Sequence, residues 1–122
     1  MVVGVMQFEL HIPGARSLKD KRRVVKGLKD RLHRHHMVSV AEIEALDHPR
    51  IAMMGLTMTS NAVAPVLRTL DRIAAHLSAL PDARLDSVTR EILDADALPE
   101  PPGRAPLWTD AERRPDPEYT TP

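Results

Sequence analysis

The 122-residue chain is long enough for one domain, and its hydrophobic fraction of 43% suffices for a modest core. The absence of cysteine excludes disulfides and thiolate chemistry. No apolar run is long enough to cross a membrane, and the N-terminal MVVGVMQFEL lacks the basic start of a signal peptide. We therefore expect a cytoplasmic protein without a membrane partner.

The formal net charge of zero hides two regions of opposite charge. Residues 1–93 contain 14 basic and 10 acidic side chains, whereas residues 94–122 contain 3 and 7. Seven of the eleven prolines also fall in residues 94–122. This composition predicts a folded domain over residues 1–93, followed by an acidic, proline-rich and disordered tail over residues 94–122.

The first half of the chain predicts a strand, a helix and a second strand. Polar and apolar residues alternate over residues 1–12, which is typical of a half-buried strand with Phe8 on the inner face. Ser17 to His36 predicts an amphipathic helix, with Ser17 as its N-cap. Residues 37–45 alternate again and predict the second strand. The apolar stripe of the helix comprises Leu18, Val25, Leu28 and Leu32.

The second half repeats this order after a short connection that favours a hairpin. Residues 50–59 predict a central strand, and Ser60 with Asn61 is expected to cap a helix over residues 62–80. Residues 83–93 predict a fourth strand. The order β-α-β-β-α-β indicates a ferredoxin-like α+β domain, a four-stranded antiparallel sheet with two helices on one face. We expect the first and third strands to be neighbours and parallel. The predicted apolar stripe of the second helix comprises Val63, Val66, Leu67, Leu70, Ile73, Ala74 and Leu77.

Three segments resemble the bacterial YlxP-like family, a domain-of-unknown-function family. They are SLKDKRRVVKGLKDRL, VSVAEIEALD and GLTMTSNA, which begin at Ser17, Val38 and Gly55. The resemblance covers about residues 1–93 and implies a ferredoxin-like α+β domain. Genes of this family often lie near those for transcription elongation and translation initiation factors, which implies a link to RNA or ribosome metabolism. The resemblance to this family implies no catalytic residues and no cofactor.

The helix from Ser17 to His36 carries most of the positive charge of the predicted domain. Only Asp20 and Asp30 oppose its eight basic residues, an excess that favours a non-enzymatic RNA- or ribosome-binding role. The expected contact residues are Lys19, Arg22, Arg23, Lys26, Lys29 and Arg34. The alternative is a helix face that is simply solvated, on which the aliphatic parts of the Lys and Arg side chains cover the edges of the apolar surface. The acidic tail could compete with RNA for this helix, in which case removal of the residues after Leu93 tightens binding.

The sheet face without helices is the second candidate surface. Phe8 is expected to point to the core, which argues against base stacking on the sheet. Self-association through this face would make the protein a homodimer and an adaptor or structural protein. The residues expected on this face are Val5, Val38 and Val40, among Gln7, Glu9, Glu42 and Glu44.

Two helix starts would lie close together if the first and third strands were parallel. Arg16, Ser17 and Asn61 would then form a candidate anion site, although two ordinary helix caps are the alternative. Acylphosphatases have a similar topology and use an arginine and an asparagine near these places, which makes a phosphate-site enzyme a weak alternative. The Gly-rich loop of that family is absent here.

Three histidines cluster at the end of the first helix, at positions 33, 35 and 36. Their spacing does not place them on one helical face, and no cysteine can assist them. We therefore expect no metal site.

Overall fold

The computed structural model describes residues 1–94 and shows six elements in the predicted order. They are β1 (Val2–His11), α1 (Leu18–His36), β2 (Ser39–Glu44), β3 (Ile51–Ser60), α2 (Val63–Ser78) and β4 (Arg84–Asp94). Because β4 includes Asp94, the last strand runs one residue beyond the predicted domain end. The rest of the predicted tail, residues 95–122, lies outside the described residues.

The four strands form one sheet in the order β2-β3-β1-β4, and all neighbours are antiparallel. The ferredoxin-like α+β prediction is therefore confirmed. The prediction that β1 and β3 are parallel is wrong. Since α1 returns the chain so that β1 and β2 run in the same direction, the β2–β3 hairpin makes β3 antiparallel to β1. His11 consequently lies opposite Ile51, and Val2 lies opposite Ser60.

Both helices pack on one face of the sheet and enclose the core. The inner face of β1 contributes Met6, Phe8 and Leu10, each at most 1% exposed, as the alternation in the sequence predicts. The buried apolar residues of α1 are Val25, Leu28 and Leu32, and those of α2 are Val66, Leu70, Ile73 and Leu77. Predicted burial is wrong for Val63 and Leu67, which are 42% and 40% exposed because they lie at the edge of the α2 stripe.

Up to Glu42, strand β2 faces the opposite way from the prediction. Val38, just before the strand, is only 2% exposed, and Val40 packs against the core. Glu42 shares their face and reaches a buried lysine of α1. The open face of β2 is formed by Ser39, Ala41 and Ile43. A register shift after Glu42 pairs Glu44 with Met53, so Glu44 lies on the open face as predicted. Alternation in the sequence predicts two faces for β2 but does not tell which face is buried, because a carboxylate on the inner face needs a distant partner.

No helix within residues 1–94 is both long enough and apolar enough to span a membrane.

Candidate nucleic-acid interface

Helix α1 begins with the predicted cap. The Ser17 hydroxyl accepts a hydrogen bond from the Asp20 backbone N–H at 3.2 Å. The Asp20 carboxylate in turn accepts one from the Arg16 backbone N–H at 3.0 Å. Two reciprocal side-chain hydrogen bonds therefore stabilise the first turn of the helix. The helix ends where Met37 adopts the left-handed conformation and donates its N–H to the His33 carbonyl.

Four of the six predicted contact residues share one side of α1. Steps of three, four and three residues along a 3.6-residue helix keep them within one narrow stripe, about 15 Å long. This basic stripe consists of Lys19, Arg22, Lys26 and Lys29. His33 continues the same spacing, and its Nδ1 lies 3.0 Å from the Val38 carbonyl oxygen. The basic stripe therefore runs beside the β2 edge of the sheet.

No residue of the basic stripe forms an ion pair or side-chain hydrogen bond within residues 1–94. Lys19, Arg22 and Lys26 are exposed, and Lys29 is half-buried. Uncompensated cations on one side of a helix repel each other by a few tenths of a kcal/mol per neighbouring pair. The arrangement thus carries a small cost that an anionic partner would relieve.

The other two predicted contact residues lie on a different side of α1, among acidic groups. Arg23 lies 3.4 Å from the Asp20 carboxylate, and Arg34 lines a groove of about 450 Å³ that also includes Asp30 and Asp82. The structure therefore does not bring the six residues together as one surface. Within the described part of the chain, it separates four cations without ion pairs from two that have carboxylates nearby.

A seventh basic residue of the helix, Lys21, is fully buried and does not belong to the cationic surface. Its ammonium group contacts four oxygens: the carbonyls of Ala45, Leu46 and Ile51 at 2.9, 3.2 and 3.2 Å, and Glu42 Oε1 at 2.8 Å. It fixes the β2–β3 connection against α1. Its position between Leu18 and Val25 on the apolar stripe was the signal in the sequence that could have revealed this role.

The candidate anion site is not assembled. Because β1 and β3 are antiparallel, α1 and α2 begin at opposite ends of the sheet, separated by the length of a ten-residue strand, about 33 Å. Arg16 and Ser17 are therefore far from Asn61. Asn61 is not the N-cap either, since that position belongs to Ala62, which has no side-chain cap hydrogen bond.

The ends of the two helices bring histidines together. The ring centroids of His35 and His36 are 6.5 Å apart, and those of His36 and His76 are 6.3 Å apart. Burial lowers the pKa of His36 from its ordinary value of 6.5, and His76, His35 and Arg72 lower it further by charge repulsion. This cluster therefore disfavours a protonated His36.

The fold and its cationic helix define a ferredoxin-like α+β domain with a basic stripe along the edge of the sheet. Residues 3–90 match the model of the family described as "Protein of unknown function (DUF503)", and the chain belongs to this family. No match was found among curated proteins. Membership confirms the expectation of a domain-of-unknown-function family.

Proposed function

We propose that the protein is a non-enzymatic binding module that contacts RNA, free or within the ribosome, through the basic stripe. The observation that carries this proposal is the row of four cations without ion pairs within residues 1–94. A row of this kind can follow a phosphate backbone, and each neutralised phosphate releases counterions. The resemblance to YlxP-like proteins supports RNA as the partner.

The binding mode follows from the scarcity of aromatic residues. Phe8 is the only Phe, Trp or Tyr among residues 1–94, and it is 1% exposed. Bases therefore have no aromatic platform on this part of the chain. We propose recognition of phosphates and backbone shape, which tolerates many sequences and weakens steeply with salt.

Charge reversal on two helices tests this proposal. Arg22→Glu combined with Lys26→Glu removes two cations of the basic stripe. Affinity for a structured RNA at about 0.1 M salt should fall on the order of tenfold to a hundredfold, measured by fluorescence anisotropy. The slope of log affinity against log salt should become shallower by about 2.

The matched control applies the same change of charge to α2. Arg68→Glu combined with Arg72→Glu alters two exposed arginines one turn apart. This variant should bind RNA within about threefold of the wild type, since neither arginine belongs to the basic stripe and exposed charges are largely screened at this salt concentration. Equal losses in both double variants would show a response to net charge alone and contradict a role for the basic stripe.

A homodimer through the open sheet face is the second candidate function. Val5, Ile43 and Gly55 help to line a shallow, largely apolar depression of about 330 Å³ on this face, and Ile43 is 41% exposed. Apolar surface of this kind favours contact with a second copy. Light scattering should then give twice the chain mass, unaffected by salt, and Ile43→Glu should return the protein to the monomer mass.

A further inference from the structure

Three potential metal ligands converge on the open face of the sheet. Glu9 and His11 are two residues apart on β1, so their side chains share a face. Asp86 reaches them from the neighbouring strand β4. His11 Nε2 lies 2.8 Å from Asp86 Oδ2 and 3.4 Å from Glu9 Oε1, and the three ligand atoms lie within 4.8 Å of one another.

A β-bulge brings the third group into place. Glu9 pairs with Ser87, whereas Leu10 pairs with Leu85, so Asp86 is the extra residue of β4. In a regular ladder Asp86 would oppose Leu10 and share the core-facing side. The bulge keeps Leu85 packed against the core and aims Asp86 at His11 on the other face.

Two carboxylates converge on one nitrogen of His11. A neutral imidazole nitrogen donates at most one hydrogen bond, yet two carboxylates approach the same His11 nitrogen. Two carboxylates close together also repel each other unless a cation lies between them. Arg84 Nε lies 3.4 Å from Asp86 Oδ1 and so leaves Oδ2 directed at His11. Such outer contacts are typical of groups that orient metal ligands.

The distances also fit a small divalent ion. In tetrahedral coordination with bonds near 2.1 Å, ligand atoms lie about 3.4 Å apart. The Glu9–His11 separation already has this value, and the His11–Asp86 separation of 2.8 Å needs to open by only about 0.6 Å. Because the three side chains are between 28% and 36% exposed, an ion can enter from solvent without unfolding of the sheet.

We propose that Glu9, His11 and Asp86 form a binding site for a divalent metal ion of the zinc class. One imidazole nitrogen and two carboxylate oxygens are ligands that Zn²⁺ accepts. Three protein ligands leave the fourth position for water or a small anion. The ion links β1 to β4, so its binding stabilises the folded state. This site is separate from the basic stripe of α1 and lies on the opposite face of the sheet.

Calorimetric titration of the full chain with ZnCl₂ tests the site. The expected result is one ion per chain at neutral pH. His11→Gln and the near-isosteric Asp86→Asn should each lower the affinity at least tenfold. Binding should also shift the imidazole NMR signals of His11, a change that a purely structural effect of the variants would not produce.

The matched control carries His35→Gln and His36→Gln at the end of α1, where the chain has its other group of histidines. This variant should retain the affinity of the wild type. Loss of binding in this control with retention in His11→Gln would overturn the proposal. So would the absence of any binding at 100-fold excess of ZnCl₂ over a protein concentration of about 10 µM, or unshifted His11 signals at saturation.

Discussion

Lys21 is the residue that most clearly links the sequence to the fold. It lies on the apolar stripe of α1, yet its ammonium group contacts two carbonyls of the β2–β3 connection, the first carbonyl of β3 and the Glu42 carboxylate. A buried charge is tolerated only when its partners replace water. Lys21 therefore makes the hairpin connection depend on α1, although the two are separated by more than twenty residues in the chain.

Replacement of Lys21 by methionine should destabilise the protein strongly. The side chain keeps nearly the same volume, but the Glu42 carboxylate remains 13% exposed without its counter-ion. Removal of one partner of a buried pair costs about 3–5 kcal/mol. Urea unfolding followed by circular dichroism gives the free energy of unfolding directly.

Lys26→Met is the matched control for Lys21→Met, since it makes the same change on the exposed side of the same helix. Its free energy of unfolding should stay within about 0.5 kcal/mol of the wild type. If Lys21→Met lowers the free energy of unfolding by less than about 1 kcal/mol, the buried ion pair contributes no more to stability than a surface ion pair does.

His36 should make stability depend on pH. Its pKa in the folded protein is lowered by burial and by repulsion from His76, His35 and Arg72, whereas the unfolded chain has the ordinary value of 6.5. The unfolded state therefore binds the proton more readily, and the free energy of unfolding falls as pH falls through 6.5. His36→Gln should reduce this fall, measured by urea unfolding at pH 7.5 and pH 5.

His76→Gln provides a second variant for the same prediction. It removes a neighbouring charge but leaves His36 in place, so it should reduce the pH dependence less than His36→Gln does. An unchanged pH dependence in His36→Gln would assign the effect to other groups.

At the scale of the elements, periodicity in the sequence predicted all six helices and strands within a few residues. The face of each strand was harder to predict. For β1 the inner residues are uniformly apolar, and Phe8 is buried in the core as the alternation predicts. For β2 the inner face carries Val40 and Glu42 together, and only the distant Lys21 explains why a carboxylate belongs there. Which face of such a strand is buried depends on tertiary contacts, and alternation in the sequence alone does not encode these.

Gly4 controls how closely α2 approaches β1. A Cβ atom at this position would overlap a methyl group of Val66 and would also contact Met58. Gly4→Ala should therefore destabilise the protein by about 1–3 kcal/mol, as overpacking in cores does. Combination with Val66→Ala should cost less than the sum of the two single changes, because the second change makes room for the first.

Gly27→Ala is the control for Gly4→Ala, and the opposite sign is expected. Nothing lies within 4 Å of a Cβ atom built on Gly27, which is exposed in the middle of α1. Because alanine has a higher helix propensity than glycine, the free energy of unfolding of this variant should rise by about 0.5–1 kcal/mol. Destabilisation of similar size at both glycines would contradict the packing explanation.

At the scale of the whole molecule, element order was enough to predict the ferredoxin-like α+β fold. It was not enough to predict the candidate sites, because these depend on strand direction and register. The antiparallel pairing of β1 with β3 separates Asn61 from Arg16, and the bulge in β4 brings Asp86 to His11. The basic stripe was largely predictable, since the spacing of Lys19 and Lys26 on a helix fixes a common side.

Ultraviolet crosslinking of the full chain to RNA in cell extract, with the crosslinked peptides identified by mass spectrometry, tests the central claim most directly. The proposal predicts RNA crosslinks that map to residues 19–34, decrease with added salt and are lost when Arg22 and Lys26 are replaced by glutamate. Crosslinks of equal yield in that double variant, or the absence of RNA from the wild-type protein, would contradict it.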